Sequence, residues 1–252
     1  SNQEVFGIQN ITSIGLGDFT LKNIIGYRDL DVKYCINQTG QSFHSQAYCG
    51  VQLTEQFSEE LQLQGSFGNL EFIGGLFYFQ EKGDEVNRNP QVVVLSAVQP
   101  PLSTWVDAAA KNNSYAIFLH RNYDLDGVVP GLSASGGIRW THDKREVNWH
   151  NRNEVIAGTQ RLIACRVDGV RYPSSFTLPL QPWEAVLPPD RDTCSFRNDA
   201  TFEEPTWDVS LNYQATPDVL VYAAHRHGYR SGRFNTPARN GAPGNFTTPC
   251  TP

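Results

Sequence analysis

Methionine is absent from this sequence of 252 residues, and charged residues make up only 18% of it. Soluble globular domains usually carry about 25% charged residues, so the composition does not suggest an ordinary soluble enzyme. No apolar run reaches the roughly 18 residues that a transmembrane helix requires. The formal net charge of −6 provides no basic surface for nucleic acid.

The N-terminus also lacks a targeting segment. It reads Ser-Asn-Gln-Glu, without a basic region followed by an apolar core, so it does not resemble a signal peptide. A complete reading frame begins with Met. We therefore expect that the chain is processed, trimmed or excerpted from a longer protein.

Cysteine is scarce, with five residues at positions 35, 49, 165, 194 and 250. None forms a Cys-x-x-Cys motif or stands at metal-ligand spacing from a histidine, so the sequence predicts neither a metal site nor a cofactor. Cys35 and Cys49 flank one polar stretch, and Cys165 and Cys194 flank a longer one. This arrangement predicts two loop-closing disulfides and an oxidising compartment, with Cys250 left over.

The chain contains runs of alternating residues joined in pairs by short turns, which indicates β-hairpins. The hairpins are predicted at about 4–34, 52–85, 114–147 and 206–235. Long irregular segments at 35–50, 86–113, 148–205 and 236–252 lie between and after them. Compact soluble domains seldom contain several such loops, whereas transmembrane barrels alternate short turns with long loops. We predict an all-β, antiparallel up-and-down meander of about eight long strands, part of a transmembrane β-barrel.

The two faces of the predicted strands differ in polarity. Along 207–214, Trp207, Val209, Leu211 and Tyr213 alternate with Asp, Ser, Asn and Gln. One face is therefore apolar enough for lipid, and the other suits a water-filled lumen. Aromatic residues also stand near predicted strand ends, as expected at membrane interfaces: Phe19, Tyr34, Phe67, Phe72, Trp140 and Tyr213.

Several segments, in a consistent order along the chain, resemble the barrel of TonB-dependent receptors. The most specific is 221–235, VYAAHRHGYRSGRFN, which is similar to the family's YA-x-x-x-R-GY-R/K-SGG-FN strand, although Arg233 replaces the second glycine. The segment 205–214, PTWDVSLNYQ, resembles the strand before it, and 129–146, VPGLSASGGIRWTHDKRE, resembles an earlier one. The segments 57–79 and 21–28, LKNIIGYR, resemble still earlier parts of the barrel.

The resemblance implies a location and partners. It predicts a protein of the bacterial outer membrane, in contact with lipid, that imports a scarce small molecule such as a ferric siderophore. The energy would come from the TonB complex through a plug domain that this chain does not contain. Only the middle part of a barrel is recognisable, because the plug and the later strands are absent. No enzymatic activity is expected.

Candidate ligand-binding residues lie in the longest predicted loop, 148–205, where arginine and aromatic residues occur together. This combination suits anionic or planar ligands. The candidates are Arg161, Arg166, Arg171, Tyr172 and Trp183.

Other polar groups are interpreted as structural. His225 and His227 form a His-x-His motif, but no nearby Cys or carboxylate completes a metal ligand set, and we assign both to the barrel wall. Glu59, Glu60, Asp143 and Arg139 are expected to form lumen-facing charge ladders rather than an acid–base pair.

Two alternatives remain open at this stage. A small closed outer-membrane barrel with a structural or adhesion role would require pairing between the first and last strands. A secreted β-sandwich that binds carbohydrate would require shorter strands and two packed sheets.

Overall fold

The computed structural model describes residues 1–37, 47–91, 102–157, 160–167, 170–172 and 195–234. These residues form strands and connecting turns, and the described ranges include no helix that could cross a membrane. The strands are β1 (Asn2–Leu16), β2 (Phe19–Asn37), β3 (Ala47–Phe67), β4 (Leu70–Gln91), β5 (Leu102–Asp124), β6 (Leu132–Ala157), β7 (Gln160–Val167), β8 (Val170–Tyr172), β9 (Ser195–Thr216) and β10 (Val219–His227).

All the strands belong to one antiparallel sheet. Strands β1 to β6 pair in sequence order, β9 pairs with residues 132–150 of β6, and β10 pairs with β9. The short strands β7 and β8 branch from the far end of β6. The eight strands β1 to β6, β9 and β10 confirm the predicted up-and-down meander.

Glycine permits the tight connections between the strands. Gly17 and Gly68 lie in two-residue turns with φ of 68° and 55°, a left-handed conformation that residues with a Cβ rarely adopt. Gly131, with φ of 81°, closes the longer turn between β5 and β6. A Cβ at Gly131 would lie 2.5 Å from the carbonyl oxygen of Gln214, so this position excludes larger residues.

Successive turns do not lie on one straight row of the sheet. Phe19, which begins β2, is opposite Gly65, two residues before the end of β3 at Phe67. Leu132, which begins β6, is opposite Tyr213, three residues before the end of β9 at Thr216. Each hairpin is therefore displaced along the strand direction relative to the hairpin before it.

The strands run further from the short turns than the sequence predicted. β4 continues to Gln91 and β5 begins at Leu102, so most of the irregular segment expected at 86–113 is paired. The borders expected for 35–50 and 148–205 are wrong for the same reason. Backbone pairing continues where the apolar alternation stops, because it depends on main-chain hydrogen bonds, which every residue but proline can both donate and accept. The segment 236–252 lies outside the described residues.

The last predicted strand is shorter than expected. β10 ends at His227, whereas the sequence predicted a hairpin that extended to residue 235. In a continued register, Tyr229 would be opposite Pro205 of β9. Proline has no backbone N–H for a ladder hydrogen bond, which accounts for the end of the pairing.

The sheet is open in the described part of the chain. β1 pairs with β2 alone and β10 with β9 alone, and no register joins β1 to β10. The closed small barrel is therefore not formed, and the single sheet does not correspond to a sandwich. The buried side chains lie on one face, which we call the concave face: Asn87, Ala116, Thr141, Asp143 and Val147.

Candidate functional site

The opposite face, which we call the convex face, exposes large apolar side chains. Leu76, Ile117, Ile138 and Val209 are each more than half exposed, at 52% to 57%, and their registers place them on the same side of adjacent strands. A continuous apolar surface of this kind marks an interface with a protein or a membrane.

Aromatic rings form two lines on the convex face. Near the short turns, Phe19, Phe67 and Phe72 contact each other, with ring centroids 5.2 to 6.1 Å apart. We call this cluster the turn-side girdle. Further along the strands, Phe57, Tyr78, Tyr115, Trp140 and His142 form a chain of ring contacts that we call the loop-side girdle.

The distance between the girdles matches a membrane. Tyr115 of the loop-side girdle and Tyr123, near the short turn, lie on one strand. Eight residues of strand span about 26 Å, and a tilt of 35–45° reduces this to roughly 20 Å across the bilayer. Transmembrane barrels carry an outward apolar band about 25 Å tall between two aromatic girdles. Tyr34, expected among the interfacial aromatics, instead faces inward and donates a hydrogen bond to Asn87 Oδ1 at 2.8 Å.

The concave face contains a cleft of about 800 Å³ that is the candidate functional site. Arg139 lies across its floor, with its guanidinium carbon 4.9 Å from the centre of the Phe77 ring and 5.9 Å from that of Phe118. Such cation–π contacts fix an arginine without neutralising its charge. Arg145 and Arg226 line the same cleft, which can therefore attract an anionic group.

A short segment crosses the cleft after β10. We call residues 228–234 the strap. Tyr229 donates its hydroxyl proton to Asp143 Oδ2 at 3.1 Å, and Arg145 donates from Nη2 to Ser231 Oγ at 2.8 Å. Gly232 lies so close to Phe202 that a Cβ would be 2.5 Å from the ring. The strap is therefore held to β6 and β9 by two hydrogen bonds and one close contact.

The protonation of Tyr229 favours this contact. Burial raises the pKa of its phenol well above the usual value, and the Asp143 carboxylate raises it further. The hydroxyl thus stays protonated and keeps donating to Asp143 throughout the physiological range. Asp143 is itself 6% exposed, and a buried carboxylate needs such donors.

At the far ends of the strands, β2 and β3 are linked covalently. Cys35 and Cys49 form a disulfide with Cα atoms 4.0 Å apart, as the sequence predicted, and they are direct register partners. Cys165 lies on β7, whereas Cys194 lies outside the described residues, so the second pairing stays a prediction.

The predicted ligand candidates are placed only by their backbone. Arg161 and Arg166 lie on β7, and Arg171 and Tyr172 lie on β8. The register sets Arg166 opposite Arg171, so two of the candidates are neighbours across a strand pair. Trp183 lies outside the described residues.

The other singled-out residues are part of the wall. His225 and His227 both contact the Trp207 ring, at 5.0 and 6.2 Å between centroids. His227 also lines the cleft, with its Nε2 3.4 Å from Glu204 Oε1. Arg139 and Asp143 face inward as expected. Glu59 does not, because adjacent strand residues point to opposite faces, and it accepts a hydrogen bond from Asn23 on the convex face.

Sequence reasoning did not single out Arg145, Arg226 or Tyr229, which complete the cleft. The alternation of polar and apolar residues along the strands would have identified Arg145 and Arg226, since each occupies a polar position between outward-facing residues. Tyr229 could not be found in this way, because a continued strand was expected there.

Comparison with known protein families identifies the kind of barrel to which this sheet belongs. Residues 7–249 match the family described as TonB dependent receptor-like, beta-barrel. The chain belongs to this family. The family is one of bacterial outer-membrane proteins, and the match covers nearly all of the chain. The exposed apolar convex face agrees with the lipid side of such a barrel, and the polar concave face agrees with its lumen side. A comparison with curated protein sequences gave no match.

A solved structure has the same fold. The crystal structure of the ferric yersiniabactin uptake receptor FyuA from Yersinia pestis matches with a TM-score of 0.65 at 13% sequence identity. The match covers 95% of this chain and 30% of that receptor, so the chain spans less than a third of its length. At this identity the likeness shows the fold alone.

Proposed function

We propose that this chain forms part of the barrel wall of a receptor that actively imports a scarce ligand across the bacterial outer membrane. Membership of the TonB-dependent receptor family over residues 7–249 is the observation that carries the proposal. In this proposal the TonB complex supplies energy through a plug domain outside these residues. The receptor moves its ligand without making or breaking covalent bonds.

A ferric siderophore is the ligand class that we favour. FyuA, which has the same fold, is a ferric yersiniabactin uptake receptor. The chemistry of this chain agrees, because many ferric chelates carry negative charge and planar catecholate or phenolate rings, and arginine with aromatic rings suits such groups. The cleft offers Arg139, Arg145 and Arg226 beside Phe77 and Phe118.

The strands extend well beyond the apolar band and so position the loops. β5 begins at Leu102, thirteen residues beyond Tyr115 of the loop-side girdle. At about 3.3 Å per residue this adds roughly 40 Å of strand beyond the apolar band. The strands would therefore hold the loops well above the membrane, where the predicted candidates Arg161, Arg166, Arg171, Tyr172 and Trp183 would meet a ligand first.

Uptake measurements test the proposal directly. The gene that contains this sequence is deleted in its host, and cells are offered radioactive iron as hydroxamate, catecholate or phenolate chelates. We expect uptake of at least one class to fall to background, as it does when TonB is deleted. Uptake of all three classes at the parental rate in the deletion strain would overturn the ligand class. Uptake that depends on this gene but persists when TonB is deleted would overturn the mechanism.

A matched pair of variants tests the role of the cleft. Arg226→Gln removes a positive charge from the lumen side, and Arg121→Gln removes one from the lipid side. We expect the first to raise the concentration needed for half-maximal uptake about tenfold, the value of one charge-assisted hydrogen bond. The second should leave uptake unchanged. Equal uptake by both variants would exclude Arg226 from the ligand's path.

A further inference from the structure

A groove on the lipid side has no role in the import described above. It has a volume of about 430 Å³, lies over Gly136, and is walled by Leu119, Ile138, Trp207 and Val209, with Arg121 at one side. Gly137 and Asp208, which occupy concave-face positions in the register, complete its lining. Gly136 forms the groove because its neighbours on β5 and β9, Arg121 and Val209, both carry side chains that rise from the sheet.

Arg121 places a charged side chain on the face that is exposed to lipid. It is exposed, and its guanidinium has no hydrogen-bond or ion-pair partner among the residues that the structure describes. A charged arginine on the lipid face of a barrel costs about 2–4 kcal/mol at the midplane and much less near the interface. An anionic partner at the interface would offset this cost.

The height of Arg121 identifies that partner. Its register neighbour on β4 is Phe72, a member of the turn-side girdle, and Tyr123 lies two residues closer to the short turn. Short turns face the periplasm in outer-membrane barrels. Arg121 therefore stands at the headgroup level of the periplasmic leaflet, and the groove extends from it toward the middle of the bilayer, past Leu119 and Ile138.

We propose that this groove binds one phospholipid of the periplasmic leaflet. The lipid phosphate accepts hydrogen bonds from the Arg121 guanidinium, and one acyl chain lies over Gly136 between Leu119, Ile138, Trp207 and Val209. Both parts of the site match the lipid: arginine binds phosphate through two parallel hydrogen bonds, and the apolar groove accepts hydrocarbon. The proposal rests on the membrane position proposed above, but not on which ligand is imported.

Two variants separate the parts of the site. Arg121→Gln removes the charge. Gly136→Val fills the groove, and the backbone has room for it, since a Cβ at Gly136 comes no closer than 3.4 Å to the Asp208 carbonyl oxygen and 3.7 Å to Val209. Gly74→Val is the matched control. Gly74 is also a convex-face glycine, with a Cβ position 3.5 Å from Leu119, but it lies outside the groove.

Native mass spectrometry of the full-length receptor in detergent, with phosphatidylglycerol added, tests the proposal. We expect the parental protein and Gly74→Val to retain one lipid. Arg121→Gln and Gly136→Val should each bind it at least about tenfold more weakly, and inorganic phosphate should not displace it. Parental lipid binding by Arg121→Gln or by Gly136→Val would overturn the proposal, as would an equal loss in Gly74→Val.

Iron uptake by the same variants distinguishes this proposal from the import function. Each variant should assemble in the outer membrane and import at the parental rate, because Arg121, Gly136 and Gly74 all lie outside the lumen. Loss of the lipid with normal uptake supports the site. Parental lipid binding overturns it even where uptake is confirmed, and a failure of uptake in the parental receptor bears on the import proposal alone.

Discussion

The two faces of this sheet are made from the same strands, yet they contain opposite chemistry. On β6, Ile138 and Trp140 point outward, whereas Arg139 and Thr141, which alternate with them, point inward. The outward residues need no specific neighbours, because lipid accepts any apolar shape. The inward residues have individual partners, such as the Phe77 ring beneath Arg139. The outer face is therefore specified by polarity and the inner face by contacts.

The largest expected effect comes from placing a charge on the wrong face. Leu119 lies midway between Tyr115 and Tyr123 on the convex face, so Leu119→Arg puts a cation near the bilayer midplane. We expect a loss of about 2–4 kcal/mol in folding free energy, measured by denaturant titration of the receptor in lipid vesicles.

The matched change on the concave face is Gln62→Arg. Its side chain lies in the lumen beside Glu60 and Gln64, where water and a carboxylate accept the charge. We expect a change within about 0.5 kcal/mol, as for most solvated positions. An equal loss in the two variants would mean that the faces are not lipid and lumen.

A smaller effect is expected from one specific inward contact. Tyr229→Phe removes the donor to Asp143 but keeps the ring. The lost hydrogen bond to a charged group is worth about 1.5–3 kcal/mol, so hydrogen exchange of the strap amides should accelerate about tenfold or more. Tyr222→Phe, on the exposed part of β10, is the control. Unchanged exchange in Tyr229→Phe would show that the strap is held by Phe202 instead.

Apart from the Gln62→Arg control, the smallest effect is expected at the loop-side girdle. Tyr115 contacts Tyr78 with ring centroids 5.1 Å apart, and Tyr115→Leu keeps an apolar side chain while removing the ring pair. We expect a loss of about 0.5–1.5 kcal/mol, measured by the same titration. A loss as large as that of Leu119→Arg would contradict the view that this face is specified by polarity alone.

The same contrast explains what could be predicted from the sequence. Alternation along Trp207 to Gln214 and the Gly-Asp and Gly-Asn turns revealed the meander, because both are local signals. The outer ends of the strands were missed, since the apolar alternation ends near the loop-side girdle, whereas main-chain pairing continues beyond it. The strap was missed because its partners, Asp143 and Arg145, are 86 residues away in sequence.

The displacement of successive hairpins has a geometric consequence for the girdles. Tyr27 is in register, through β3, β4, β5 and β6, with Thr201 of β9. The convex-face aromatic residue that continues the line of rings on β9 is Trp207, six positions nearer the turn. Six residues at about 3.3 Å, across five strand spacings of about 4.8 Å, correspond to a slope of roughly 40°. When the strands lean by that angle, which is the tilt of transmembrane barrels, the oblique line of aromatic rings becomes a level ring parallel to the membrane surface.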